Sequence, residues 1–323
     1  MEITVLGPGA VGTLLGGLLQ LKGHHVSLRG RKAPPDPSPT LRVVLPSRWL
    51  LVEGARMEGP EDPSGSPQAF LITLARHHLH AVRRPDLARL IGTEEAPVAM
   101  FNCDPSEPER LAIPDARLRL CLTLMNAVKL QDGEVELTTE KPFIVYERSK
   151  PLSRIFGELS SFGFHCIAVD DARPYLNSFL ISQLLFLPVA MCNTTLGCFL
   201  SSAPGRELAV NMLSEGFAAM ERADMPLAAL PVMDPVELMM RIEKKPTSFD
   251  AAPSTPARAY NSILQSYLKG RPVEAEYLNK KVVEIASSAG LHLTWNWRIL
   301  QKASRIAGLG FYRDPAELLK ALA

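Results

Sequence analysis

The sequence predicts an α/β chain in two parts, a doubly wound, largely parallel sheet in residues 1–169 and an all-helical domain in residues 170–323. Three observations predict it. The chain opens on a short apolar strand, Ile3 to Leu6, which breaks into closely spaced glycines and then into apolar residues at helical spacing, Leu14, Leu15, Leu18 and Leu19. Short apolar runs bounded by Pro, Gly, Asn and Asp then recur as far as Val169. From Asp170 onward strand-like alternation gives way to helical spacing. At 323 residues the chain also exceeds one comfortable hydrophobic core.

Taken in order, Ile3 to Leu6 reads as a buried strand, Thr13 to Leu21 as a helix, and Gly23 to Leu28 as a second strand. The loop between the first two is Gly7-Pro8-Gly9-Ala10-Val11-Gly12, a GxGxxG pattern in βαβ context. Gly7 permits the tight turn, Gly9 lets the backbone approach a pyrophosphate, and Gly12 lets helix and strand pack closely. The helix N-terminus offers unpaired N–H groups to phosphates. These six residues are therefore candidate cofactor ligands in a Rossmann-type domain. After the second strand comes Arg29-Gly30-Arg31-Lys32, where an NAD site usually carries a carboxylate. Three cations suit a 2′-phosphate, so NADP is expected rather than NAD.

Lys32 to Thr40 is a proline-rich loop. Leu41 to Leu45, Leu50 to Val52 and Phe70 to Leu74 are strand candidates, and Glu58 to Gln68 is a surface connection. Pro97 to Phe101 is another strand, ending at Asn102-Cys103-Asp104-Pro105 on the side where an α/β sheet binds ligands. Asn102 is thus a candidate for the nicotinamide end of the site; the alternative is a turn-forming Asn. His77, His78 and His80 cluster, but adjacent His77 and His78 point apart on a helix or a strand, so no metal site is expected. Leu118 to Leu124, Pro142 to Tyr146 and His165 to Val169 complete the strands, with a turn at Asp132-Gly133 and an amphipathic helix over Pro151 to Phe162.

In the second part, Leu176 to Leu200 is apolar but interrupted by Asn177, Ser182, Gln183, Pro188 and Asn193, and reads as a buried helix kinked at Pro188 rather than a membrane span. Helical segments follow at Gly205 to Ala223, Asp234 to Ile242, Ala259 to Ala289, Trp295 to Ala307 and Pro315 to Leu322, with a flexible connection over Lys244 to Pro256. With 46% hydrophobic residues, 21% charged residues and a formal charge of +1, nothing favours nucleic acid or an anionic membrane as partner, and a small-molecule ligand is the default. The five cysteines are scattered and lack a CxxC pair, as in reduced cytoplasmic proteins, and no basic-then-apolar leader opens the chain. A dinucleotide domain followed by a helical domain is an enzyme architecture that shields hydride transfer from water. A homodimer is the expected assembly.

The first 31 residues resemble the ketopantoate reductase (2-dehydropantoate 2-reductase) family. Its opening, GxGAVGxxxGxxLxxxGHxVxLxxR, is matched by Gly7, Gly9, Ala10, Val11, Gly12, Gly16, Leu19, Gly23, His24, Val26, Leu28 and Arg31. Ser262-Ile263-Leu264-Gln265, Gly270-Arg271-Pro272-Val273-Glu274-Ala275-Glu276 and Asn279 resemble the family's SMxQD, GRxTEID and NG elements. The resemblance implies that NADPH delivers hydride to the keto carbon of a 2-oxo acid, in pantothenate biosynthesis, while an ammonium polarises and protonates the oxygen. It implies that Arg31 binds the 2′-phosphate, that Asn102 lies near nicotinamide and substrate, that Ser262 binds substrate, and that Glu274 lines the cofactor and catalytic site.

The departures fall in the chemistry. Aligning Arg173 and Pro188 with the family's Arg and Pro places Phe179 at its catalytic lysine, and Gln183 and Leu187 at two substrate-contacting asparagines. No lysine occurs between Lys150 and Lys244. Ala75 stands at a cofactor-site lysine, and Cys103, Ser266 and Lys280 replace a glycine, an aspartate and a glycine. Phe179 cannot donate a proton, a function worth about 10²–10⁴ in rate. Glu274 and Ser262 are left as the catalytic candidates and Asn102, Gln183 and Ser262 as substrate contacts, with Lys129, Lys280, Lys281 or a protonated Glu274 as substitute acids. The expectation is an NADP-dependent reductase whose substrate is not ketopantoate, favoured by an apolar wall at Phe179 and Leu187. The alternative is a catalytically inactive NADP-binding sensor or scaffold.

Overall fold

The architecture comes from a computed structural model, which describes residues 1–30, 40–59, 67–74, 79, 87, 91–92, 95–103, 111, 113–131, 133–244, 274–306 and 312–323, with backbone alone at 274–276 and 304–306. The chain divides into two compact units, Met1–Arg173 and Pro174–Ala323.

In the first unit the strand β1 (Glu2–Leu6), the helix α1 (Ala10–Leu21) and the strand β2 (His25–Arg29) form a βαβ start, with Ile3 paired to Val26 and Val5 to Leu28 in parallel register. The other strands are β3 (Leu41–Leu45), β4 (Arg48–Val52), β5 (Arg56–Glu58), β6 (Ala69–Ile72), β7 (Val98–Phe101), β8 (Leu118–Leu124), β9 (Ala127–Gln131), β10 (Glu134–Leu137), β11 (Phe143–Glu147) and β12 (His165–Val169). Eight of them make one sheet in the order β12-β11-β8-β7-β6-β1-β2-β5, parallel except between β8 and β11. The central strands β6 and β7 are buried at every position, as expected of parallel strands covered on both faces.

Leu41–Leu45 and Arg48–Val52 stand outside that sheet. They form a hairpin in a separate four-stranded sheet, β4-β3-β10-β9. Two of its strands, β9 and β10, and the three-residue β5 had no counterpart in the sequence reading, because each is short and carries charged residues where an apolar run would have marked it. The helix α1 touches both sheets. A Cβ at Gly16 would run into Leu28 of the large sheet, and one at Gly17 would press on Val43 of the small one. Helix α2 (Lys150–Leu159) begins with Ser149 accepting a hydrogen bond from the Leu152 N–H and buries Leu152, Ile155, Phe156 and Leu159.

The second unit is helical: α3 (Arg173–Gln183), α4 (Phe186–Met191), α5 (Leu196–Ser201), α6 (Ala203–Arg222), α7 (Pro235–Glu243), α8 (Glu274–Ser288), α9 (Thr294–Ile306) and α10 (Pro315–Leu322). The apolar stretch from Leu176 to Leu200 is three helices rather than one kinked helix. Pro188 has no N–H to offer the carbonyl of Leu184 one turn before it. That carbonyl instead accepts from Nδ2 of Asn279 at 3.2 Å, so the chain breaks ahead of the proline and a buried amide fills the gap. A second break follows at Asn193, whose φ is 47°. The segment Arg173–Met191 has the length and mean hydropathy, 1.3, of a membrane span, yet 72% of that window is buried within the protein. Its side chains Ile181, Leu184, Leu185 and Leu187 join Leu208, Met212, Leu213 and Val282 in one core.

A polar chain runs through this core. Asn279 and Asn296 are fully buried, with Asn279 Nδ2 at 3.5 Å from Asn296 Oδ1. Asn296 Nδ2 donates to Met212 O and to Glu215 Oε2, and the Glu215 carboxylate also accepts the Trp295 and Asn296 N–H groups at 2.8 and 2.9 Å. Glu215 on α6 thus closes the N-terminus of α9, while Asn279 on α8 holds the break between α3 and α4.

Candidate functional site

The glycine loop has the geometry its sequence requires. Gly7 adopts a φ of 103°, which a side chain would strain, and its N–H donates to Arg29 O at 3.0 Å. A Cβ on Gly12 would collide with the carbonyl oxygen of Gly7, so only glycine lets α1 start this close to β1. Thr73 at the end of β6 locks the turn, its Oγ1 donating to Gly7 O at 2.8 Å, and Thr13 Oγ1 reaches Pro8 O at 3.2 Å. Gly9 is the exposed N-cap of α1, with no side-chain cap, no acidic residue in the first turn, and no atom within 4 Å of where its Cβ would lie. Pro8, Ala10 and Val11 are half-buried around it. The loop therefore leaves an open cradle of N–H groups at a partly positive helix end, which fits the pyrophosphate of a dinucleotide.

At the end of β2 the structure corrects one part of the sequence reading. Arg29 was counted among three cations open to a 2′-phosphate, but its side chain is 3% exposed and its Nη2 lies 2.5 Å from Glu58 Oε2. Glu58, at the end of the neighbouring strand β5, also accepts from Ser27 Oγ at 2.6 Å and pairs with Arg56. Arg29 is thus spent inside the fold. The carboxylate that meets it comes from a residue far along the chain, in a strand too short to be foreseen. Arg31 and Lys32 lie outside the described residues, as do Ala75 and the histidines His77, His78 and His80. Among the described residues no group of three His, Cys, Asp or Glu side chains is placed to hold a metal.

Asn102 follows β7 with a φ of 51°, a left-handed position that asparagine tolerates. Its carboxamide bridges to β8: Oδ1 accepts the Thr123 N–H at 2.7 Å, and Nδ2 donates to Thr123 Oγ1 at 2.9 Å. Asn102 therefore turns the chain and pins two strand ends. Cys103 beside it is 1% exposed. Burial, above all, holds the thiol of Cys121 well above its usual range and pushes those of Cys166 and Cys192 up to about 12, so none of the three is a nucleophile at neutral pH.

In the second unit, α3 keeps one partly open face. Leu176, Asn177, Ser178, Leu180, Ile181 and Ser182 are buried, whereas Tyr175, Phe179 and Gln183, spaced four apart, are half-exposed. Its buried polar side chains donate to backbone carbonyls, Asn177 Nδ2 to Pro226 O, Ser178 Oγ to Ala228 O and Ser182 Oγ to Phe179 O, while Asn177 Oδ1 has no hydrogen-bond partner among the described residues. Leu187, expected to share an apolar wall with Phe179, is fully buried in the helical core and lines no open face. Lys280, a candidate acid, is 68% exposed and pairs with Glu284 at 3.5 Å, an ordinary surface pair. Lys281, on the same helix, and Lys129, on β9 of the first unit, are half-buried. Ser262 lies outside the described residues, and Glu274 is described only as the first residue of α8. Tyr175, which the sequence reading did not single out, shares this partly open face.

Residues 186–307 match the family described as ketopantoate reductase PanE/ApbA C terminal. No curated protein matches the chain in sequence. Among solved structures, it is similar to a PanE/ApbA family ketopantoate reductase from Ralstonia eutropha JMP134, 17% identical over 95% of this chain and 98% of that one, with a TM-score of 0.76. D-mandelate dehydrogenase in complex with NADH gives 14% identity over 95% and 99% of the chains, with the same TM-score of 0.76. The dimeric ketopantoate reductase of Staphylococcus aureus gives 18% identity over 95% and 100%, with a TM-score of 0.70. Residues 186–307 thus match the ketopantoate reductase C-terminal family in sequence, and the chain over 95% of its length shares its fold with ketopantoate reductases and D-mandelate dehydrogenase.

Proposed function

We propose that the chain is an NADPH-dependent reductase of a 2-oxo acid or related carbonyl whose side chain is bulkier and less polar than that of ketopantoate. The observation that carries this reading is the partly open face of α3, which presents Phe179 where the resemblance sets a lysine. Gly7, Pro8, Gly9, Ala10, Val11 and Gly12 hold the pyrophosphate, Arg31 takes the 2′-phosphate, and Asn102 stands at the nicotinamide end. Bound there, the dinucleotide supplies the hydride. Gln183, Asn102 and Ser262 contact the substrate, and Glu274 lines the catalytic end. D-mandelate dehydrogenase, which shares the fold, supports an aromatic 2-hydroxy or 2-oxo acid as the substrate class, since it has also been solved with NADH and anilino(oxo)acetate. No observation favours the non-catalytic alternative. The reading includes a cytoplasmic homodimer, in line with the dimeric relative from Staphylococcus aureus, which light scattering of the purified protein checks.

The test is a fluorescence titration with NADPH and NADH, followed by absorbance at the reduced nicotinamide band with a panel of aliphatic and aromatic 2-oxo acids. Tighter binding of NADPH, and turnover of phenyl-bearing acids above ketopantoate, are expected. Failure to bind either dinucleotide overturns the reading.

A further inference from the structure

At the end of β2 one carboxylate serves two guanidinium groups. Arg29 and Glu58 are direct partners in the parallel register of β2 and β5, and Arg56 stands opposite Ser27 on the same face of the sheet. Glu58 Oε2 lies 2.5 Å from Arg29 Nη2 and accepts from Ser27 Oγ at 2.6 Å, while Oε1 pairs with Arg56 Nε. The two cations differ in exposure: the Arg29 side chain is 3% exposed and the Arg56 side chain 53%. Within this cluster the cations outweigh the anion, and its most open member is Arg56.

We infer that Arg56 is a specificity residue for the cofactor, binding a phosphate on the 2′ oxygen of the adenosine ribose; the inference rests on the reductase reading above. Its place follows from the sheet. Ligands of an open α/β sheet bind outside the carboxyl ends of its strands, and the adenosine ribose lies beyond the end of the second strand of the βαβ unit. That end is tied on both sides: the Gly7 N–H of the glycine loop donates to Arg29 O at 3.0 Å, and the Gly30 N–H donates to Glu58 O at 3.1 Å. The ion pair with Glu58, the last residue of β5, draws the Arg56 guanidinium along the strand toward this same edge. A carboxylate at the ribose end ordinarily holds the 2′-hydroxyl of NAD and repels a 2′-phosphate. Here the carboxylate, supplied by β5, is engaged by Arg29 and Ser27 within the fold and by the half-exposed Arg56. A forked guanidinium matches phosphate oxygens and keeps its charge at neutral pH. Glu58 thus acts as the support that positions Arg56 for the phosphate.

The experiment compares wild type, Arg56→Ala and Arg56→Lys, with NADPH and NADH in the fluorescence titration and with adenosine 2′,5′-bisphosphate and AMP in a calorimeter. Arg56→Ala should weaken NADPH and the bisphosphate by about tenfold, and leave NADH and AMP within about twofold of wild type. Arg56→Lys, which keeps the charge and loses the fork, should recover part of that loss. Added salt should narrow the gap between wild type and Arg56→Ala for the bisphosphate, because the lost contact is partly open to solvent. A merely structural role for the Arg56–Glu58 pair would weaken all four ligands together. If Arg56→Ala does so, or if it keeps NADPH and the bisphosphate within about twofold of wild type, the inference falls and the reductase reading stands. If the wild-type protein binds neither dinucleotide, the reductase reading falls and takes the inference with it.

Discussion

Replacing Glu215 by alanine tests how the helical unit is held in register. The carboxylate accepts the Trp295 N–H, the Asn296 N–H and Asn296 Nδ2, all at 2.8–2.9 Å. Removal takes away an N-terminal cap from α9, worth about 1 kcal/mol, and leaves the N–H of a fully buried residue, Asn296, without its acceptor, at a further cost of about 1–3 kcal/mol. The Asn296 side chain keeps its bond to Met212 O, so that loss is partial. A total of about 3 kcal/mol corresponds to a melting temperature lower by about 6–12 °C for a unit of this size. Trp295 and Trp297 flank the cap, so tryptophan emission in a Trp49→Phe background reads this unit alone. Glu215→Gln, which retains one acceptor oxygen, should lose about half as much. A Glu215→Ala protein melting within about 2 °C of its background would refute the reasoning, because the three bonds would then carry no net stability.

Other perturbations address the first unit. Arg31→Ala should weaken NADPH at least tenfold and leave NADH nearly unchanged in the fluorescence titration; equal losses would mean that Arg31 does not read the 2′-phosphate. Glu58→Ala removes the carboxylate paired with the buried Arg29 guanidinium and should destabilise the first unit by up to about 3 kcal/mol, since Arg29 Nε keeps Ser27 Oγ; urea unfolding followed at Trp49 measures it. Burial of Glu158 opposes its ionisation, but hydrogen bonds from His24 and Arg154 and their charges outweigh it, so its carboxyl is held below the usual range. A lowered carboxylate pKa adds stability that is present above the unfolded-state pKa and disappears as pH falls through the folded-state value. Glu158→Gln should therefore be less stable than wild type at neutral pH and converge on it in acid, as pH-dependent thermal melts would report.

The glycine loop was legible from the sequence because its requirements are local. A positive φ at Gly7 and the contact of Gly12 with the Gly7 carbonyl arise within six residues, where only glycine serves. Helix ends marked by Ser149, Asp234 and Asp314 are equally local, since the capping oxygen and the N–H it accepts are two or three residues apart. The charge at the end of β2 was not legible in this way. Arg29 looks like a ligand cation until Glu58 arrives from a three-residue edge strand, and pairing between strands has no sequence signal at that length.

By itself, then, the sequence determined the order of a parallel α/β unit and a helical one and the turn of the glycine loop. Periodicity and glycine sterics suffice for those. Only the tertiary structure decided which polar groups remain for chemistry. It buried Leu187, occupied Asn177, Ser178 and Ser182 with backbone partners, closed the Pro188 break with Asn279, and left Tyr175, Phe179 and Gln183 partly open. The reason is that burial and hydrogen-bond partnership are set by contacts between residues far apart in the chain, 95 positions in the case of Leu184 and Asn279, which no local pattern encodes.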